Sequence, residues 1–475
     1  MRLYSTELDR TLLARAERAR TERPSARRWR AARESVARVF DASAWRRLDP
    51  AEPDEGVLAE ALLGTPARPF APVGRARIVH VIGSLAAGGA ERQTVYTARE
   101  TRARGAAEAE IVVLNPLEGA ARHYLPLAEA GGVPVRVAGS AGDGAALARV
   151  SRDERLVRVL GSVDPSYRAW CVDLAGEFLA RSPDLVHAWL DHANIWAGIA
   201  ALACGVPRIV LSTRNVNPTH FPSLHGPYFR DWYRVLARSP RVRFIANSTA
   251  GADDYAAWIG VERARFSVVL NGFDADAMRV GGDEEHAVLR RTLGADGRPV
   301  VLGVFRLSEE KRPLDWLAAV RRVLEQVPEA LVLLAGDGAM RAEVERMAAD
   351  LGADRFRMLG VREDIGAIMS IATVVLHASR KEGTPNALLE AQAVGCPVVA
   401  TAGGGTIDAV KDGETGFLCE VGDVERLAER AVAIIRDAAM RARMSEAARA
   451  FVRERFALAR MVDETLAACG IGAQA

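Results

Sequence analysis

TVVLHASRKEGTPNALLEAQAVGCPVVAT, residues 373 to 401, decides how the rest of the chain is read. Its ends, TVVLHAS and PVVAT, are runs of strand length crowded with β-branched residues, the pattern of short buried strands. Between them Pro385 and Asn386 open a helix, and Gly395 with Pro397 closes it. A unit of strand, loop, helix and strand belongs to a parallel sheet. Its loop and first helical turn lie at the carboxyl edge, where unpaired amides attract anions and ligands bind. Glu382 in the loop and Glu390, about one turn into the helix, can therefore face one ligand. A carboxylate offers about four lone-pair positions and no competing donor, which suits pairs of sugar hydroxyls. On spacing alone, two solvated surface charges are an equally good reading.

The same alternation extends outward. RIVHVIGSL, EIVVLN, VPVRVAG, DLVHAWL, PRIVLST, RVRFIANS and FSVVLNG read as strands, mostly separated by helix-length stretches. A second series starts near Pro299 with VVLGVFRL, ALVLLAG and RFRMLG and ends in the quoted unit. Two such series predict an α/β protein of two doubly wound, Rossmann-like domains facing a cleft, 75–280 and 281–456. The boundary falls in the polar, glycine-containing GGDEEHAVLRRTLGADGRP. Residues 1–74 differ: they are dense in Arg, helical in periodicity and interrupted at Pro24, with TPARPFAPVGRA as linker. Arg interleaved with Trp29, Phe40 and Trp45 suits either an anionic membrane surface or the body of the protein. The interspersed Glu and Asp favour packing on the body.

Length and composition agree with this division. A chain of 475 residues exceeds one ordinary core, and 49% hydrophobic with 26% charged residues describes a soluble globular protein. With 63 Lys and Arg against 61 Asp and Glu, the net charge of +2 makes no case for nucleic-acid binding. The five scattered cysteines suggest neither disulfide framework nor zinc site and fit a reducing cytosol. No apolar run reaches the ~18 residues that a membrane span needs.

Candidate chemistry clusters at predicted strand ends. Arg306 ends VVLGVFRL and Lys311 follows at a helix entrance, two cations suited to a diphosphate, with Glu309 and Glu310 as counter-ions in the plainer reading. Gly88 and Gly89 precede a helix after the first strand and let amides approach a phosphate or sugar, although turn chemistry explains them too. His192 at the end of DLVHAWL can donate to a substrate or relay a proton near neutral pH, whereas His187 reads as half-buried packing. Asp274 and Asp276 have metal-binding spacing, but a turn and helix cap explain them better, and no metal is expected.

In order along the chain, GGAER at 88–92, VLNGFD at 269–274, FRLSEEK at 305–311, LLAGDG at 333–338 and EGTPNALLEAQAVGCPVVAT at 382–401 resemble the retaining GT-B glycosyltransferases of family four. The resemblance spans about Arg77 to Phe456 and implies an acceptor-binding first domain and a nucleotide-sugar-binding second domain. It implies that Arg306 and Lys311 bind the donor diphosphate, Glu390 the ribose and Glu382 the transferred sugar. The amides of Gly383, Thr384, Pro385's neighbour Asn386, and of Gly88 and Gly89 would complete the cradle, with Pro385 shaping it. It also implies that the last helix, within 457–475, packs back on the first domain. The loop here reads EGTPN where the family frequently has EGFGLP, a form similar to enzymes of exopolysaccharide, capsule or O-antigen assembly. Arg312 replaces a frequent glycine, and Trp189 stands where many members carry histidine, which shifts that role to His192 or removes it.

The resulting expectation is retaining transfer of a hexose or N-acetylhexosamine from a nucleotide diphosphate sugar, UDP foremost, to a glycan or polyprenyl-linked saccharide. Catalysis would rest on Glu382, Arg306, Lys311 and His192, without a required cofactor and without Glu382 as covalent nucleophile. The expected place is the cytoplasm, with peripheral attachment to the inner membrane as a variant. The alternatives are a nucleotide-sugar epimerase on the same scaffold and a catalytically silent partner subunit.

Overall fold

The structure is a computed structural model that describes residues 55–471 except 73, 140–143, 223, 275–277 and 279. Most of the Arg-rich extension, and Asp276 with it, therefore lies outside the described residues. Two parallel sheets organise the rest. The first has seven strands, β1 (Arg77–Ile82), β2 (Glu108–Val113), β3 (Val135–Val137), β4 (Leu185–Trp189), β5 (Arg208–Thr213), β6 (Val242–Ala246) and β7 (Phe266–Val268). The second has six, β8 (Val300–Val304), β9 (Leu331–Ala335), β10 (Phe356–Gly360), β11 (Val374–His377), β12 (Val398–Thr401) and β13 (Gly416–Cys419). Their orders are β3-β2-β1-β4-β5-β6-β7 and β10-β9-β8-β11-β12-β13. Both orders reverse once, between β1 and β4 and between β8 and β11. Those reversals leave crevices at the carboxyl ends, the usual place for a ligand in an open parallel sheet.

The central strands read as nearly continuous apolar runs because helices cover both faces. LVHAW of β4 and LVLLA of β9 are buried at every residue. His187, expected to be half-buried, is completely buried: its Nε2 lies 2.7 Å from Ser212 Oγ and its ring stacks on Trp189 at 4.3 Å. The strand β13 was not anticipated. It is an edge strand of four residues opening on Gly416, where a Cβ would fall 2.1 Å from Val398 O, so only glycine admits this pairing.

The polar stretch after residue 280 forms a helix, Asp283–Leu293, whose Leu293 joins the core beneath β8 and β11. At the amino end, the helix Glu55–Leu63 buries Leu58 and Leu62 against the first sheet's helices. The TPARPF segment is docked too, with the Arg208 guanidinium carbon 3.3 Å from the Phe70 ring centroid. The helix Leu458–Ala468 lies on the helix Gly89–Ala103, sharing its core through Met461, Val462 and Leu466. The two stretches joining the halves run side by side, Phe273 N donating to Phe456 O at 2.8 Å. Among the described residues no helix is long and apolar enough to cross a membrane.

Candidate active site

The carboxyl edges of the two sheets meet. A Cβ at Gly89, after β1, would fall 2.6 Å from Asn386 Nδ2, and one at Gly383, after β11, would fall 2.5 Å from Arg214 O. A Cβ at Gly405 would reach Gly383 O at 2.1 Å, so the loops after β1, β5, β11 and β12 approach as closely as backbone allows. Polar clasps reinforce the contact. Asn271 Nδ2 donates to Asn386 Oδ1 at 2.9 Å, and the Gln93 amide makes two 2.8 Å bonds with the main chain of Gly272. Thr384 Oγ1 donates to Asn247 O. Thr384 and Asn386, the atypical residues of the EGTPN loop, thus bridge the halves with their own polar groups.

Lys311 and Glu382 flank the β8/β11 crevice. The helix Pro313–Gln326 is fixed beneath them, Trp316 Nε1 donating to Leu376 O at 2.9 Å, with Gly303 leaving room for the indole. Glu310 O accepts from Arg380 N at 2.9 Å and from Ser379 Oγ at 3.1 Å, which aligns the loop after β8 with the loop after β11. Lys311 Nζ then pairs with Glu382 Oε1, and His377 Nε2 lies 2.9 Å from the same oxygen. Burial would raise the Glu382 carboxyl, but Lys311 and His377 outweigh it and hold the group well below the ordinary carboxylate range. Its Oε2 accepts a hydrogen bond from no described residue. Arg306 is exposed at the mouth, 3.7 Å from Glu310. Arg312 takes the left-handed conformation, φ 50°, a geometry that glycine adopts without strain, and it pairs with Asp315.

Glu390 sits on the facing side of the helix Asn386–Ala393 and accepts from Arg92 Nη1 at 2.9 Å, across 298 residues of sequence. Gly88 caps the Gly89–Ala103 helix, and a Cβ there would fall 2.1 Å from Glu91 Oε2, so this carboxyl folds back over the glycine turn. Burial raises Glu91 to about 7, opposed by its own backbone amide and by Arg306. The sign follows directly. A raised folded value means that this group's contribution to stability is fully present below its ordinary 4.5 and is lost as pH rises toward about 7. The same ionisation places a negative charge beside Arg306 and the Gly88 turn. Stability is expected to fall as pH rises from 4.5 toward about 7, and Glu91→Gln to flatten that fall; urea denaturation across this range checks it.

His192 is not at the strand end but in the first turn of the helix Asp191–Ala203, after Leu190 with φ 72°. Its ring meets Trp196 at 5.1 Å and Phe229 at 4.8 Å, edge to face, and burial lowers it to about 4. The imidazole is therefore neutral at neutral pH, with its ring set against the two aromatic side chains. Asp274 pairs with Arg99 at 3.8 Å. Among the described residues no group of three His, Cys, Asp or Glu could hold a metal ion.

The sequence reading did not single out His377, Arg92, Glu91, Asn247 or Asn271 as site residues. His377 carried a signal, as a histidine ending an otherwise apolar strand. Arg92, Asn247 and Asn271 each have a partner in the other half, more than 100 residues away in sequence.

Comparisons with known proteins fit this geometry. Residues 287–451 match the family described as glycosyl transferases group 1, and residues 87–277 match glycosyltransferase family 4. The Vi polysaccharide biosynthesis protein VipC/TviE of Salmonella typhi is 31% identical over 420 residues, 82% of this chain and 71% of that protein. The UDP-Gal:alpha-D-GlcNAc-diphosphoundecaprenol alpha-1,3-galactosyltransferase of Escherichia coli is 28% identical over 265 residues, 54% of this chain and 67% of that enzyme. The crystal structure of Anabaena Alr3699/HepE in complex with UDP and glucose has a TM-score of 0.68 and 24% identity, covering 83% of this chain and 99% of that one, a likeness of fold. With two parallel sheets meeting edge to edge and this ordered match over most of its length, the chain belongs to the GT-B glycosyltransferases of family four.

Proposed function

We propose that this glycosyltransferase moves a hexose or N-acetylhexosamine, with retention of configuration, from a UDP-sugar to a glycan or lipid-linked saccharide in bacterial surface-polysaccharide synthesis. The observation that carries the reading is the chain His377, Glu382, Lys311 beside Arg306 at the β8/β11 crevice. Lys311 and Arg306 would meet the diphosphate, and Oε2 of Glu382 would accept from a sugar hydroxyl. Glu390 would take the ribose hydroxyls. The bond from sugar C1 to the diphosphate oxygen breaks, and its electron pair leaves with the diphosphate. The acceptor oxygen bonds C1 on the same face and passes its proton to the departing phosphate oxygen. Preorganised cations at the leaving group can supply several kcal/mol of transition-state stabilisation, about 3 in well-studied cases.

The names of the relatives support the setting: one is a Vi polysaccharide biosynthesis protein and another a galactosyltransferase acting on a diphosphoundecaprenol. A Anabaena neighbour of the same fold was solved with UDP-glucose. The test is a thermal-shift panel of UDP-, GDP- and ADP-sugars, since a ligand that binds only the folded protein raises its melting temperature by mass action. One nucleotide family should stabilise selectively. No shift with any of them, together with no calorimetric binding, would remove the reading.

A further inference from the structure

Arg214, directly after β5, carries a charge that its surroundings do not answer. Its Nη2 donates to Asn271 Oδ1, and its guanidinium carbon lies 5.1 Å from the centroid of the Trp189 ring. Its Nε is buried without a hydrogen-bond partner. Among the described residues no carboxylate forms an ion pair with it, and burial lowers its pKa to about 9 with no acidic neighbour opposing the shift. Arg92, in the same interface, shows the contrast: burial acts on it too, but Glu390, with Tyr124 and Tyr96, more than offsets the effect. A guanidinium presents five donors, and a neutral amide oxygen with a ring face leaves its charge uncompensated. Keeping such a group in a dry site is costly unless an anion joins it.

Position says which molecule could bring that anion. Arg214 as a residue retains some exposure, although its Nε has none. Asn247 Nδ2 donates to Arg214 O at 3.1 Å, and Gly383, next to Glu382, packs on that same carbonyl. Asn271 links the guanidinium onward to Asn386. Arg214 thus follows a strand of the first sheet, and its carbonyl abuts the loop that carries Glu382. We propose that Arg214 binds an anionic oxygen group, carboxylate or phosphate, borne by the saccharide part of a substrate rather than by the nucleotide diphosphate. The assignment rests on the sugar-transfer reading above and narrows its substrates to charged ones. Two sources share this chemistry, a uronic-acid sugar and a phosphorylated saccharide.

Calorimetry on the wild type, R214A and R214K separates the cases. The probes are UDP, UDP-glucose and UDP-glucuronate, or their counterparts on whichever nucleotide the stabilisation panel selects. With the nucleotide bound, methyl glucoside, methyl glucuronide and glucose 1-phosphate follow. In the wild type at least one charged probe should bind about 10-fold or more tightly than its neutral counterpart, the scale of one charge-assisted hydrogen-bonded pair. The donor arm identifies a uronate donor, and the acceptor arm separates carboxylate from phosphate. R214A should erase the preference and R214K keep part of it, while all three bind the bare nucleotide alike, which also shows that they are folded. Equal binding of charged and neutral probes by the wild type, or a preference that survives in R214A, overturns the proposal and leaves sugar transfer standing. Weakened nucleotide binding in folded R214A and R214K would assign Arg214 to the diphosphate and overturn it as well. A wild type that binds no nucleotide removes the sugar-transfer reading, and this one with it.

Discussion

Lys311→Ala is expected to lower stability by about 3–5 kcal/mol and turnover by at least about 100-fold. Both losses come from one contact. Glu382 is buried, and among the described residues its Oε1 is met only by Lys311 and His377. Removing the ammonium strands a carboxylate in a dry site while also deleting a cation assigned to the leaving diphosphate. Pairing the change with Glu382→Gln separates the two effects. The double variant no longer buries an unpaired charge, and its amide can still hydrogen-bond to His377, so most of the stability should return while turnover stays low. Urea denaturation with a turnover assay on the two variants checks this. The pH dependence follows the same logic. Glu382 is held below its ordinary 4.5, so its contribution to stability is present above that pH and is lost as pH falls through the folded value. Glu382→Gln should therefore flatten the acid limb of the stability curve.

Glu390→Ala carries the second large effect, a loss of nucleotide affinity of about 10- to 100-fold if its carboxylate holds the ribose through charge-assisted hydrogen bonds. The carboxylate has a second engagement, the 2.9 Å bond from Arg92, which ties the Gly89–Ala103 helix to the Asn386–Ala393 helix. Arg92→Ala removes that tie and leaves the carboxylate in place. Nucleotide affinity should then change only a few-fold, within about 1 kcal/mol, while turnover, which needs both halves in register, falls further. A double-mutant cycle on Kd and kcat reads the two roles separately. Equal losses of affinity in both single variants would mean that the ion pair, not a ribose contact, accounts for Glu390.

How much of this was legible in the sequence depends on how local each signal is. Twelve of the thirteen strands stood out as short runs of strand length, most of them apolar and many β-branched, because central strands covered on both faces admit little else. GFLC escaped because it is short, lies at a sheet edge and opens on a glycine whose reason is the nearby Val398 carbonyl. Lys311 and Glu382 were legible one by one, as charges at strand ends, but not as a buried pair 71 residues apart. Arg92 in GGAER is invisible as a partner of Glu390, since nothing within its own helix depends on that contact. His192 reads as the end of DLVHAWL, but it lies in the first turn of the following helix, edge to face with the Trp196 and Phe229 rings, contacts that the spacing alone does not show.

The most direct test is calorimetric titration of the nucleotide diphosphate selected by the stabilisation panel into wild-type protein and Lys311→Ala/Glu382→Gln. The wild type should bind it, and the folded double variant should bind at least about 10-fold more weakly, the loss of one charge-assisted contact. Wild-type affinity in a folded double variant would contradict the placement of the diphosphate at the β8/β11 crevice.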